Sequence, residues 1–248
     1  KLGEYAFKGC ANLTSMYLNA AVISSGAFEK CANLAAFTIG KDVTVIAENA
    51  FTGAGIKSFT VEPGNNAFKT VNAGKYIVDK NDNSILVLVA NVYGSSTFSD
   101  PYSSIKTVLR GAFAGNSDVR NIVLPGVTSV GNYAFANCTA LKCIDIPNSV
   151  TTLGVCPFDS DTAIEKFAGK FASANGKYLL YNETLVNFAG GTTTSYTIPA
   201  EVKKIGEASF VENTTIESVT IHEAVTEIGS LAFQDCSSLK AIYCKATN

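Results

Sequence analysis

The stretch "VGNYAFANCTALKCIDIP", Val130 to Pro147, is written again as "IGSLAFQDCSSLKAIYCK", Ile228 to Lys245. Both carry Gly-x-x-Ala-Phe, a cysteine three residues after the phenylalanine, and then Leu-x-x-Ile. The dipeptide Ala-Phe ends at Phe7, Phe28, Phe51, Phe113, Phe135 and Phe233, with degenerate copies at Phe158 and Phe210. Successive phenylalanines lie 21, 23, 62, 22, 23, 52 and 23 residues apart, so five of seven intervals share one period and two contain insertions. Self-similarity at such a period marks a solenoid: each unit buries too little alone, and stacked neighbours share one continuous core.

Aligned on the phenylalanine, the unit reads Val-x-x-Ile-Gly-x-x-Ala-Phe-x-x-Cys-x-x-Leu-x-x-Ile-x-Ile-Pro, in eight copies. Val127, Val130, Phe135, Leu141, Ile144 and Ile146 are expected to point inward in their repeat. Ala134 is small where the turn packs tightly, and Gly131 is expected to let the chain bend. The segment after the cysteine alternates with period two, Ile144 and Ile146 in, Cys143 and Asp145 out. Stacked, these segments predict a parallel sheet on one face, with short helical turns between strands. Pro125 and Pro147 close strands where no further ladder donor is needed.

This unit resembles the BspA-type leucine-rich repeat, and the resemblance covers most of the chain. It implies an α/β repeat solenoid of right-handed coil. The family includes surface and secreted proteins of anaerobic bacteria, some of them adhesins for host matrix proteins. An extracellular or cell-surface setting is thereby implied; a ligand is not.

The two long intervals hold a second repeated phrase: "AGKYIVDKNDNSILVLVA" (Ala73–Ala90) and "NGKYLLYNETLVNFAG" (Asn175–Gly190). Each predicts a β-hairpin, followed by a Thr/Ser-rich stretch and by Pro101 or Pro199. The chain 1–248 therefore divides as one solenoid of about eight repeats, with hairpin insertions near 67–104 and 168–200. The hairpins are expected to extend the sheet or to project from one edge. Irregular segments on a rigid scaffold often bind partners, so Tyr76, Tyr178 and Tyr181 are hairpin binding candidates.

Composition narrows the chemistry. The chain is 47% hydrophobic, 16% charged and carries a net charge of -2, so it has no basic field for nucleic acid. Its longest uncharged apolar run, Ile85 to Val92, is far short of the about 20 residues a membrane helix needs. Seven cysteines show no Cys-x-x-Cys pair and no metal-spaced histidine. Cys10, Cys31, Cys138 and Cys236 share one repeat slot and read as small buried residues, although the stacking distance also allows a Cys10–Cys31 disulfide. The sole histidine, His222, has Glu223 beside it and reads as an edge residue. "DKND" (Asp79–Asp82) and "DSD" (Asp159–Asp161) carry carboxylates loosely suited to calcium, without the donor count of an EF-hand loop. No catalytic residue, metal site or cofactor is assigned.

The outward row of the strand face is the natural contact surface of a solenoid: Tyr17, Thr38, Thr60, Val123, Asp145, Ala168, Thr220 and Tyr243. Of these, Tyr17, Thr38, Thr60, Asp145, Thr220 and Tyr243 are the binding candidates. A flat hydroxyl-rich row suits a protein or glycan better than a small molecule. The expected function is a non-enzymatic interaction module, a monomer at the cell surface that recognises a host or neighbouring-cell protein or glycan. The alternatives are a spacer that displays another domain and a glycan-processing enzyme.

Overall fold

A computed structural model describes residues 2–91, 97–100, 103–161 and 163–245. The expected strand-closing role of Pro101 lies outside the described residues. The chain coils as a right-handed β-solenoid of about ten turns, with parallel strands on two faces. One face is built from the strands after each phenylalanine turn, such as Ala36–Ile39 and Cys143–Ile146. The other is built from two-residue strands before it, such as Val22–Ile23 and Ser129–Val130. The sequence predicted the first sheet but not the second.

The inward alternation is confirmed. Val127, Val130, Phe135, Leu141, Ile144 and Ile146 are all buried. The registers align Tyr17 with Thr38 and Thr38 with Thr60, Asp145 with Ala168, and Thr220 with Tyr243. A slip by one residue would send this whole row into the core, so burial pins the register.

The expected helical turns are absent among the described residues, and the backbone shows why. Two positions in each phenylalanine turn lie in the left-handed region. Two residues before the phenylalanine, Tyr5, Gly26, Asn49, Gly111, Tyr133, Cys156, Ala208 and Leu231 all have φ between 45° and 66°. Two residues after it, Gly9, Lys30, Gly53, Gly115, Asn137, Ser160, Glu212 and Asp235 have φ between 55° and 78°. A right-handed helix cannot run through either position. The corner is instead a series of tight turns, for example Glu29 N–H to Gly26 O (3.0 Å) and Cys31 N–H to Phe28 O (3.2 Å). Only five of these sixteen positions are glycine; stacking holds the others in a conformation they avoid alone.

Gly131 also has a different role from the one expected. Its φ is not positive; a Cβ there would lie 2.6 Å from the backbone nitrogen of Arg110 on the preceding rung. Gly154 and Gly229, four residues before their phenylalanines, meet neighbouring backbone at 2.4 and 2.5 Å in the same way. Glycine is required there because adjacent rungs touch backbone to backbone.

Rungs are joined through the corner as well as the strands. Phe28 N–H donates to Ala50 O, Phe113 N–H to Ala134 O and Phe210 N–H to Ala232 O, each at 2.8 Å. The rings stack inside this ladder: Phe7–Phe28 and Phe28–Phe51 at 5.3 and 5.4 Å, Phe113–Phe135 and Phe135–Phe158 at 5.1 Å, Phe210–Phe233 at 4.8 Å.

Of the two expected arrangements, the hairpins take the first: they extend a sheet, and each return strand is itself a rung. Tyr76–Asp79 pairs antiparallel with Ile85–Val89, and Tyr178–Tyr181 with Thr184–Phe188. Each return strand then pairs in parallel with the next short strand, Ile85–Val89 with Thr107–Val108 and Thr184–Phe188 with Lys204–Ile205. Val89 N–H donates to Ala112 O (2.8 Å) and Phe188 N–H to Ser209 O (2.9 Å), as a repeat phenylalanine would. Phe188 completes the stack on Phe210 at 4.6 Å. Eight phenylalanine rungs and two hairpin rungs account for the ten turns. The insertions also divide the interior into three hydrophobic cores, centred on Phe28, Phe135 and Phe210.

Phe135 is 2% exposed and sits between two rings, tilted against Phe113 and stacked on Phe158. Phe135→Ala is expected to destabilise the chain by about 3–5 kcal/mol, checked by urea unfolding. Phe7→Ala, at a half-buried position, should cost clearly less.

Candidate functional site

The long-strand face carries the predicted row in three blocks. Tyr17, Thr38 and Thr60 form the first, Val123, Asp145 and Ala168 run through the second, and Thr220 and Tyr243 lie in the third. Tyr17 and Tyr243 are exposed, at 55% and 61%, as are Thr60 and Asp145, while Thr38 and Thr220 are half-buried. Ser99 and Thr197 extend the row; they pair with Val123 and Thr220. Sequence reading missed both because they follow the hairpins, where the repeat phrase is broken.

Polar side chains link rungs across this face. The Tyr17 hydroxyl donates to Glu62 Oε2 (3.1 Å), which also accepts the Lys41 N–H (2.8 Å). Asn19 and Asp42 exchange two bonds of 2.8 Å, and Ser218 Oγ donates to Ser195 Oγ (2.9 Å). Lys142–Glu165 (2.9 Å) and Lys240–Glu217 (3.1 Å) pair opposite charges on adjacent rungs at the strand entrances. All four charged groups are exposed, so each pair adds little stability. Their effect is to neutralise these four charges where the strands begin.

The three hairpin tyrosines do not form a comparable surface. Tyr178 is 4% exposed and its hydroxyl donates to Glu201 Oε1 (2.6 Å). Burial, then that bond, pushes its phenol well above the ordinary value. Buried in this way, its ring offers no face to a ligand, which corrects the expectation for this residue. Tyr76 is half-buried and packs edge-on against Phe98 at 5.3 Å. Tyr181 is half-buried, packs edge-on against Phe171 at 5.0 Å and donates to Thr151 O (3.2 Å). Tyrosine in these hairpins fills gaps beneath the inserted rungs.

The phenylalanine corner holds a groove that sequence reading missed. Tyr5, Glu29, Asn49, Arg110, Tyr133 and Asp159 are among the residues lining an open space of about 400 Å³. Arg110 lies over the Tyr133 ring at 5.1 Å and pairs with Glu48. Burial, followed by the charges of Cys156 and Glu207, raises the Tyr133 hydroxyl to about 12. Several of these residues occupy the left-handed position before the phenylalanine. That slot is variable in sequence, so only the coil brings its residues together.

The cysteines are free. Cys31 Sγ donates to Phe7 O (3.0 Å), Cys138 Sγ to Phe113 O (3.3 Å) and Cys236 Sγ to Phe210 O (3.1 Å). Cys31 and Cys138 are buried, as expected, whereas Cys236 is half-buried and Cys10 is exposed, because these two lie on the end rungs; the slot also carries an inter-rung hydrogen bond. Cys10 and Cys31 are not bonded to each other. His222 Nδ1 accepts the Ala224 N–H (3.1 Å) and caps a turn. Asp79 accepts the N–H groups of Asn81 and Asp82 (2.7 and 3.0 Å), and Asp82 accepts from Ser84, so "DKND" shapes its hairpin turn. No helix of the described residues is long and apolar enough to cross a membrane.

Stacked 21–23-residue units, a parallel sheet of outward hydroxyls and a phenylalanine ladder define a leucine-rich-repeat solenoid. The chain belongs to the family described as the BspA type leucine rich repeat region, matched in six copies over residues 1–79, 95–187 and 186–248. Among solved structures it is similar to a leucine rich cell surface protein from Faecalibacterium prausnitzii A2-165, at 22% identity and a TM-score of 0.60. It is similar also to the pneumococcal vaccine antigen PcpA, at 20% identity and a TM-score of 0.60. Each alignment covers 93% of this chain and 60% of the other, so the chain spans less than two thirds of either structure. At these identities the likeness is one of fold. No curated protein matches the chain.

Burial pushes the Cys138 thiol well above its ordinary value and, with Glu207 and Asp159 nearby, takes Cys156 to about 12. At pH 8 a disulfide reagent should therefore react promptly with the exposed Cys10 and Cys244. Cys31, Cys138 and Cys156 should react only after unfolding in guanidinium, as followed by absorbance of the released thiolate.

Proposed function

We propose that this chain is a non-enzymatic interaction module displayed at a cell surface, and that its long-strand face docks a protein or glycan. The reading is supported by the outward row itself: tyrosine, threonine and serine on adjacent rungs, with ion pairs at the strand entrances. Such a face offers a regular array of hydroxyl donors and acceptors on a rigid sheet, which suits an extended partner. Family membership supports an interaction role. The name of the similar Faecalibacterium prausnitzii protein, a cell surface protein, favours the same setting. Tyr17 and Tyr243 are the anchors, because exposed tyrosine brings large contact area at low entropic cost. A host or neighbouring-cell partner and a monomeric module complete the proposal.

An array of matrix proteins and polysaccharides, probed with the chain at micromolar concentration, tests it. At least one binder should appear. Tyr17→Ala combined with Thr38→Lys and Thr60→Lys should weaken it at least about tenfold, the loss of one or two hot-spot contacts. Tyr133→Ala, in the corner groove, should leave it unchanged. Silence across the array would overturn the interaction reading in favour of a spacer. Loss with the groove variant alone would move the contact from the sheet to the corner.

A further inference from the structure

At the second insertion, three positions differ from their counterparts at the first. Ser209 stands where Ala6, Ala27, Ala50, Ala112, Ala134 and Ala232 stand in six other rungs. Asp161 lies three residues after its phenylalanine; at the first insertion that place is Ala54. Asn187 precedes Phe188 as Leu88 precedes Val89, an equivalence fixed by the matching bonds to Ser209 O and Ala112 O. Ala54, Leu88 and Ala112 at one insertion thus become Asp161, Asn187 and Ser209 at the other.

The three polar residues are buried, at 8%, 7% and 2% exposure. They line one cavity of about 60 Å³. Among the described residues, Asp161 Oδ2, Asn187 Oδ1 and Ser209 Oγ have no hydrogen-bond partner. The opposite atoms are engaged and set their orientation. Asp161 Oδ1 accepts the Cys138 N–H (2.6 Å), and Asn187 Nδ2 donates to Phe158 O (3.4 Å). Glu212, exposed, adds a second carboxylate to the lining, which includes no lysine, arginine or histidine among the described residues.

A buried carboxylate without a counter-charge is costly and calls for a proton or a cation. Desolvation holds the Asp161 carboxyl well above the usual carboxylate range. The donor set, however, is one carboxylate, one amide and one hydroxyl oxygen, the hard ligands that calcium takes. The cavity has room for an ion and a few waters, and too little for an organic molecule.

We propose that Asp161 Oδ2, Asn187 Oδ1 and Ser209 Oγ form a calcium site, with water completing the coordination shell. Asp161 belongs to a turn of the second block, Asn187 to the inserted hairpin and Ser209 to a turn of the third. The ion joins three segments at the seam between two cores. It also supplies the positive charge that the Asp161 carboxylate lacks.

Calorimetric titration of the chelator-treated chain with calcium chloride, paired with thermal unfolding, tests the site. One ion should bind per chain, and calcium should raise Tm by several degrees. Ser209→Ala and Asn187→Leu install residues that other rungs carry at these places, so both variants should fold. Each should weaken calcium at least about tenfold and abolish most of the Tm shift. Absence of heat and of any Tm change in the parent chain would overturn the proposal. Unchanged calcium affinity in both variants would overturn it as well, since the ion would then sit elsewhere. A larger Tm rise with magnesium or sodium than with calcium would reject the assigned ion.

Discussion

The spacing between rungs is the constraint on which everything else depends. Backbone hydrogen bonds hold neighbouring strands about 4.7–4.9 Å apart. Aromatic rings pack favourably with centroids about 4.5–7 Å apart. The two ranges overlap, so one coil satisfies both, and the phenylalanine stacks run at 4.6 to 5.4 Å. The Ala-Phe pair is where the two meet. The phenylalanine N–H donates to the alanine carbonyl of the next rung, while its ring fills the core. Proline and serine also serve at the alanine place, where Pro157 O and Ser209 O accept the same bond at 2.9 Å, whereas a smaller residue than phenylalanine would open the stack. This double demand explains why the pair is the least variable part of the repeat.

The phenylalanine period made the fold legible, because a solenoid repeats its physics along with its sequence. Inward and outward positions such as Ile144 and Asp145 were read from alternation alone. Helical turns were expected because nothing in Tyr133, Cys156 or Leu231 announces a left-handed backbone; most residues there are not glycine, and stacking enforces the conformation. Gly131 was assigned to bending because flexibility is glycine's more familiar use; the contact that requires it comes from a residue 21 positions earlier. The candidate row was legible where the phrase was intact, at Tyr17, Thr38 and Thr60. It was lost at Ser99 and Thr197, which follow insertions. Tyr178 looked available because its hairpin seemed to stand outside the coil, whereas its strand lies within it.

The hairpins give the molecule its individuality. A plain repeat would generate a uniform tube. Here each insertion supplies a rung by a different route, since an antiparallel turn delivers a strand that then joins a parallel ladder. Such a join is backbone-compatible but disturbs the side chains beside it. The polar trio Asp161, Asn187 and Ser209 lies where inserted and regular rungs meet, whereas the groove at Arg110 and Tyr133 is lined by the corners of regular rungs. Departures from the repeat, rather than the repeat, are where chemistry concentrates in this chain.

The division into three cores has a mechanical meaning. Each core is packed chiefly within its own rungs, and between neighbouring cores stand a hairpin and a few direct ties, such as Arg110 with Glu48 and Cys156 Sγ with Glu207 O. A chain pulled from its ends would then yield in instalments, one block at a time, with the seams as yield points. Each block that lets go would lengthen the tether and relieve the load on the others. The insertions act in this sense as fuses, and a protein held between two surfaces would gain length in steps before losing its grip.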